Sequence, residues 1–277
     1  MADDWGFYER RTESEQMRVL VNVGYKGSAP LSEYGDLLSI TVNLYTILRN
    51  KRTKQALVAQ LERFESKLEG WLSETFSALY IGRINTVNRL EFYFYCKNDV
   101  FDGERFRKWM EGSWEFRVSE YLKPDPDWSF YRYMLPDELE ELYVHNAHMI
   151  YALIHKGDDI KQPRHVYHWL LFRKAEDRQE MEQSVKKLGY LIEREKEGEP
   201  DTGYPYPLVI SRYDDVLLDT VNERVRELYR LISDYDARYD GWGSAMKLSS
   251  TNRFKAGYRK IREAMILSLK RIRSCRR

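Results

Sequence analysis

Cysteine is nearly absent from this 277-residue chain, which has only Cys96 and Cys275. One lies in an aromatic stretch and the other in a basic tail, so no structural disulfide is expected and the cytoplasm is the implied compartment. Long apolar runs are absent too. Nothing approaches the roughly 18 residues a membrane-spanning helix needs. The start, Met1-Ala2-Asp3-Asp4-Trp5, lacks the basic-then-apolar order of a signal peptide. The sequence also has no Gly-x-x-x-x-Gly-Lys-Ser/Thr phosphate loop, no Gly-x-Gly-x-x-Gly turn and no Gly-x-Ser-x-Gly elbow. None of the common signatures for nucleotide or nucleophilic chemistry is therefore present, and no cofactor is implied.

Aromatic residues are plentiful, with 21 Tyr, 11 Phe and 7 Trp in a chain that is 43% apolar. That is enough to build packed cores and excludes wholesale disorder. The net charge of +1 hides an asymmetry. Residues 251–277 hold ten Lys/Arg and one Glu, whereas residues 136–250 hold sixteen basic and twenty-three acidic side chains, a net of −7. An acidic domain followed by a strongly basic tail is the sharper clue.

Periodicity divides the chain. Residues 4–9, 16–23 and 36–48 alternate as strands, and from Thr53 the spacing changes. Leu57, Leu61, Phe64, Leu68, Trp71 and Thr75 then recur on one helical face. Strands at 79–86 and 90–96, a helix near 100–111, and strands at 114–121 and 127–135 complete the first half. Pro136-Asp137 opens a second-half helix whose buried face is Leu139, Leu142, Asn146, Met149 and Leu153. A strand (164–172), a helix (174–188), strands (190–196 and 208–213), a helix (215–235) and a strand (238–248) follow. The fold class expected is α+β, with two ferredoxin-like (split βαβ) sandwiches and a basic C-terminal helix. The domains are 1–135, 136–250 and the tail 251–277.

All five histidines, at 145, 148, 155, 165 and 168, fall within a short window. His165 and His168 stand three apart in a strand and so face opposite ways, no cysteine is near, and no metal site is expected. Asp125-Pro126-Asp127 and Asp214-Asp215 stand at element boundaries, where turns and helix caps account for them. The aromatic strands 90–95, 128–133 and 166–172 put rings on both sheet faces. A face that helices leave uncovered must pack on a second domain or chain, or stack bases. In the tail, Phe254, Tyr258, Ile261, Met265 and Ile272 follow helical spacing. Around them stand Arg253, Lys255, Arg259, Lys260, Arg262, Lys270, Arg271 and Arg273. Such a helix can bind RNA or an acidic surface, including the chain's own acidic domain.

These residues also carry a resemblance. Asp4-Trp5-Gly6-Phe7-Tyr8, Tyr80-Ile81-Gly82-Arg83 and Asp125-Pro126-Asp127-Trp128 resemble the domain-of-unknown-function 695 family. Pro163-Arg164-His165-Val166-Tyr167-His168-Trp169, Tyr206-Pro207-Leu208-Val209-Ile210-Ser211-Arg212 and Tyr239-Asp240-Gly241-Trp242 resemble the regulator of ribonuclease E activity B (RraB) family. The resemblance implies a non-enzymatic protein that binds a ribonuclease or degradation scaffold and modulates RNA cleavage. The family-motif positions for partner binding are His168, Trp169, Asp240 and Trp242, with Asp214 and Asp215 on the acidic surface. Direct RNA binding by the tail and the aromatic sheet face is an alternative, as is an enzyme with an interdomain site. A homodimer through sheet faces is the other assembly to weigh, and a membrane is the least favoured partner.

Overall fold

The change of period at Thr53 becomes a long helix packed across a sheet. A computed structural model describes residues 4–44, 54–111, 114, 116–193 and 203–248. Among them the chain is α+β, with two antiparallel sheets and six helices. It divides at Glu140/Glu141 into two compact units.

In the first unit β1 (Trp5–Arg11) and β2 (Gln16–Asn22) form a hairpin. Then come β3 (Asp36–Asn43), α1 (Lys54–Phe76), β4 (Leu79–Asn85), β5 (Arg89–Cys96), α2 (Gly103–Met110) and β6 (Val118–Pro124). The strands lie in the order β1-β2-β4-β5-β3-β6. The α1 stripe buries Leu57, Leu61, Phe64 and Leu68 as expected, then continues through Leu72 and Phe76 while Trp71 stays half-exposed. Phe64 meets Phe92 of β5 edge-on at 5.7 Å. Beneath it Glu65 is buried against Arg83 at 2.6 Å and takes a hydrogen bond from the Tyr80 hydroxyl at 2.9 Å, so the charge is paired on both oxygens. Asp102 caps α2 by accepting from the backbone N–H groups of Glu104 and Arg105.

The expected strand at 127–135 is instead a helix, α3 (Ser129–Met134). Asp125 is the reason. Its carboxylate accepts from the backbone N–H of Ser129 and of Phe130, from the Ser129 hydroxyl, and from the Tyr95 hydroxyl at 2.6 Å. Burial alone would push this carboxyl up, but those hydrogen bonds outweigh it and hold it below its ordinary value. The expected strand at 114–121 likewise begins later, at Val118.

Asp125-Pro126-Asp127 thus acts as a turn and cap, and the segment it starts lies on the sheet. Trp128 stacks on Tyr95 at 4.0 Å with 2° between the planes, and Phe130 meets Tyr93 at 4.4 Å. The first sheet's second aromatic face is therefore filled at Tyr93 and Tyr95 by its own chain, where a second domain or chain was expected. Trp128 holds a left-handed backbone (φ 54°), an unfavourable conformation for a bulky residue that the stack and an Nε1–H bond to the Tyr34 carbonyl maintain. Replacing Trp128 by Phe keeps a ring on Tyr95 but removes that donor, and is expected to cost about 1–2 kcal/mol. A urea midpoint reads it, and an unchanged midpoint would mean the indole N–H contributes nothing.

α4 (Glu138–His155) starts with a reciprocal capping box. Asp137 accepts from the Glu140 N–H at 2.8 Å, and Glu140 accepts from the Asp137 N–H at 3.0 Å. Arg10 of β1 clamps the same Glu140 with two bonds, of 2.7 and 2.6 Å. The buried face of α4 is Tyr143, Asn146, Ala147 and Ile150. Of the expected set only Asn146 is fully buried, while Leu139, Leu142, Met149 and Leu153 are half-exposed. Both stripes are apolar, so spacing alone could not choose between them.

The second unit continues with β7 (Arg164–Phe172), α5 (Ala175–Lys187), β8 (Leu191–Ile192), β9 (Tyr206–Asp214), α6 (Leu218–Ile232) and β10 (Ala237–Ser244). Its strand order is β10-β7-β9-β8, antiparallel throughout. The strand expected at 190–196 is two residues long here, and residues 194–202 lie outside the described residues. The same is true of the end of the expected 36–48 strand beyond Leu44, and of the whole basic tail, 251–277. No helix among the described residues is long and apolar enough to cross a membrane.

Candidate functional site

Strand β7 separates the motif residues by face. Arg164, Val166, His168 and Leu170 are buried, whereas His165 is exposed and Tyr167 and Trp169 are half-exposed. The two-residue period thus sends His168 and its neighbour Trp169 opposite ways.

His168 lies on the helix-covered face and is 1% exposed. Its Nδ1 shares a 2.8 Å hydrogen bond with the Tyr239 hydroxyl from β10, and its ring meets Tyr190 edge-on at 6.1 Å. Nε2 is buried with no partner among the described residues. Burial drives the His168 pKa down to about 3, the Asp214 carboxylate pulls it back and the Arg224 guanidinium adds to the drop. At neutral pH the ring is uncharged and sealed. A proton shuttle needs an accessible, titrating ring, so this histidine acts in the core.

Trp242 shares that face at 6% exposure. Its Nε1–H donates to Asn146 of α4 at 2.7 Å, and Asn146 in turn donates to Asn222 of α6 at 2.9 Å. This buried indole–amide–amide relay ties two helices to the last strand and satisfies groups that would be costly to bury alone. Asn146 was legible as a polar residue within an apolar helical stripe. Asn222 was not, because its partner is set by the crossing of α4 and α6.

The acidic positions are already paired. Asp214 accepts from Arg224 Nε at 2.9 Å and has Arg212 at 3.6 Å. Asp215 accepts from the Leu217 N–H at the start of α6, the turn role its sequence position suggested. Asp240 is half in solvent and pairs with Arg238 at 3.0 Å. Trp169 lies on the opposite face from His168, with its ring against Gly243, where an added Cβ would stand 3.3 Å from the indole. The sequence-chosen residues therefore form no single cluster. His168 and Trp242 are in the core, Trp169 is on the other face, and the carboxylates are at the edges.

The histidines do not converge. His145 and His155 are exposed on α4, His155 against the Tyr151 carbonyl, and His165 contacts Ser211 at 3.3 Å. Among the described residues no group of three His, Cys, Asp or Glu is placed to hold a metal ion. Cys96 is buried and free, its thiol pushed up to about 12 chiefly by burial and secondarily by Asp36.

Arg164 is 2% exposed, donates to Asp158 at 2.8 Å and pairs with the carboxylate's other oxygen at 2.7 Å. It also reaches the carbonyls of Asp159, Gln162 and Ala245. One guanidinium thus fastens the loop after α4 and the segment after β10 to the start of β7.

No curated protein matches the chain. Two families do, and their limits follow the two units just described: residues 3–135 match a family of unknown function (DUF695), and residues 144–244 match the family described as regulator of ribonuclease activity B (RraB).

Proposed function

We propose that this protein is a non-enzymatic regulator whose second domain, residues 136–250, docks on a ribonuclease or degradation scaffold and modulates RNA cleavage. The match of residues 144–244 to a ribonuclease-regulator family carries the reading. The chemistry of the motif agrees with it, since His168 and Trp242 are both buried and hydrogen-bonded within the core. We also infer that both halves are split βαβ sandwiches in the cytoplasm, residues 1–135 and 136–250, with 251–277 as a separate basic segment. The spatial orders β6-β3-β5-β4 and β10-β7-β9-β8 support this, because each sets the outer strands of a β-α-β-β-α-β run around its first and third.

Docking by charge needs carboxylates that are not already engaged inside the fold. Reversing Asp214 would break a half-buried pair with Arg224, so it cannot separate binding from stability. Glu176 and Glu180 on α5 and Asp234 before β10 are exposed instead. Of these Glu180 accepts from the Tyr235 hydroxyl at the surface; burial, the Glu180 charge and that bond, and the charges of Asp177 and Asp234 hold the Tyr235 pKa above its ordinary value. Such a surface can compete for the basic, RNA-facing segments of a nuclease.

The test is affinity capture with the full chain from nuclease-treated lysate of its source cell, followed by in vitro RNA cleavage with the captured enzyme. A ribonuclease or its scaffold is expected to be retained, and its cleavage rate to change on adding the protein. The triple change Glu176→Lys, Glu180→Lys and Asp234→Lys is expected to weaken capture by about tenfold or more at low salt, with an unchanged thermal midpoint. Undiminished capture by the triple variant would remove the acidic surface from the mechanism. Failure to retain any nuclease or scaffold would remove the regulator reading itself.

A further inference from the structure

The three aromatic stretches of the sequence have different fates. Those of the first sheet are consumed internally, Tyr95 beneath Trp128 and Tyr93 beneath Phe130. The second sheet differs. Its helices α4 and α6 are joined to the face bearing His168 and Trp242, and the rings on the opposite face form a row. Tyr213 of β9 meets His165 of β7 at 5.4 Å, His165 is 6.3 Å from Tyr167, and Tyr167 is 6.5 Å from Trp169. Tyr213 is 64% exposed and His165 is also exposed. Beside Trp169 the strand β10 supplies Gly241, above which a Cβ would meet nothing within 4 Å.

The far end of the row carries cations. Arg238 pairs with Leu171 in register, and Arg173 follows β7 directly. Their guanidinium groups lie 5.5 and 4.9 Å from the Tyr204 ring. Each also meets an exposed carboxylate, Asp240 and Asp236 respectively, in surface ion pairs of the kind that contribute little and exchange readily for another anion.

We propose that this face of the second sheet, Tyr213–His165–Tyr167–Trp169 with Arg173 and Arg238, binds single-stranded RNA. Unpaired bases stack on the rings, and the phosphate backbone is met by the two guanidiniums. The residue types and their order favour this occupant. Aromatic rings in series on central strands, with cations beside them, are how sequence-tolerant single-strand sites are built, because every base has a π-face. A protein partner would draw on the same rings but has no particular use for two cations flanking a tyrosine. The assignment is independent of the ribonuclease reading, and its test uses purified chain with no nuclease present, so either can fail alone.

The experiment is fluorescence anisotropy of the full chain with a labelled oligouridylate of about 12 nucleotides, at low and moderate salt. His165→Ala with Tyr213→Ala is expected to weaken binding by about five- to a hundredfold, the range for loss of a base–aromatic stack. Tyr213→Phe, which keeps the ring, is expected to bind as the native chain does. Both altered residues are exposed, so an unchanged thermal midpoint accompanies the loss. A duplex of equal length is expected to bind more weakly, because paired bases cannot reach the rings. No binding by the native chain overturns the proposal. So does equal binding by the alanine variant and the duplex, which would assign the affinity to charge alone, as on the basic tail. A variant that keeps RNA binding but loses captured nuclease also overturns it, and would make the face a protein-docking surface.

Discussion

Replacing Arg164 by Met is expected to destabilise the second unit by about 3–5 kcal/mol, the usual cost of removing one partner from a buried ion pair. The Asp158 side chain is fully buried, and Arg164 supplies both of its close cationic contacts, at 2.8 and 2.7 Å. With the guanidinium gone, the carboxylate must stay charged with only the Lys247 N–H, at 3.4 Å, beside it or take up a proton, and either is costly. Three carbonyls, of Asp159, Gln162 and Ala245, lose their donor at the same time. The damage is topological as well as electrostatic. Asp158 bridges to Leu248, and the Asp159 N–H donates to the Lys247 carbonyl at 2.7 Å, so these contacts hold the segment after β10.

Urea unfolding followed by tryptophan fluorescence reads the loss. The diagnostic is the double change Arg164→Met with Asp158→Leu. If uncompensated charge is the cause, the double variant recovers much of the stability, because an apolar pair of similar volume can replace a buried ion pair. If the double variant is as unstable as the single, the carbonyl bonds and not the charge pair are what Arg164 contributes.

Much of the architecture was legible because period and punctuation agreed. The α1 stripe, the paired strands 79–85 and 89–96, and the alternation of β7 and β10 were all visible in spacing. The failure at 127–135 is instructive. Phe130, Tyr131 and Tyr133 have high strand propensity, yet the three bonds that Asp125 accepts from Ser129 and Phe130 start a helix there. The Asp-Pro-Asp signal marks a turn in the sequence, but strand propensity hides the helix that this turn starts. A cap acts through specific hydrogen bonds, and propensity is a weak prior beside them.

The candidate site was legible in its residues and not in its faces. His168 and Trp169 adjoin in the motif, and strand period guarantees that they part. Which of them is sealed depends on where α4 and α6 lie, and that follows from Asn146, Asn222 and Trp242 meeting across long sequence distances. Arg164 had no local signature at all. Its partners are two loops and a carbonyl far along the chain, and only tertiary structure brings them together.

Below neutral pH the protein is expected to lose stability through His168, and the sign follows from its burial. The folded ring is held down to about 3, chiefly because burial disfavours the charged form. In the unfolded chain it titrates near the ordinary value of about 6.5. Above that value neither state binds the proton and the native state keeps its full advantage. As pH falls between the two values the unfolded chain takes up a proton that the folded chain refuses, so stability declines toward acid, by about 1.4 kcal/mol per pH unit at full linkage. Below the folded value both states are protonated and this contribution is flat.

The groups facing the ring are Tyr239, Tyr190, Asp214 and Arg224, and none of them supplies an acceptor on Nε2 that would steady an imidazolium. The window of pH 5 to 6.5 isolates the histidine from most carboxylates. There the native chain is expected to lose stability on acidification, while His168→Leu, matched for burial but unable to titrate, stays level. Urea midpoints at half-unit steps measure both. Parallel curves for the two proteins would mean that His168 takes its proton without unfolding the sheet, through an opening that lets water reach the Tyr239 hydroxyl. A steeper native curve would establish that His168 contributes to stability by staying neutral in the core.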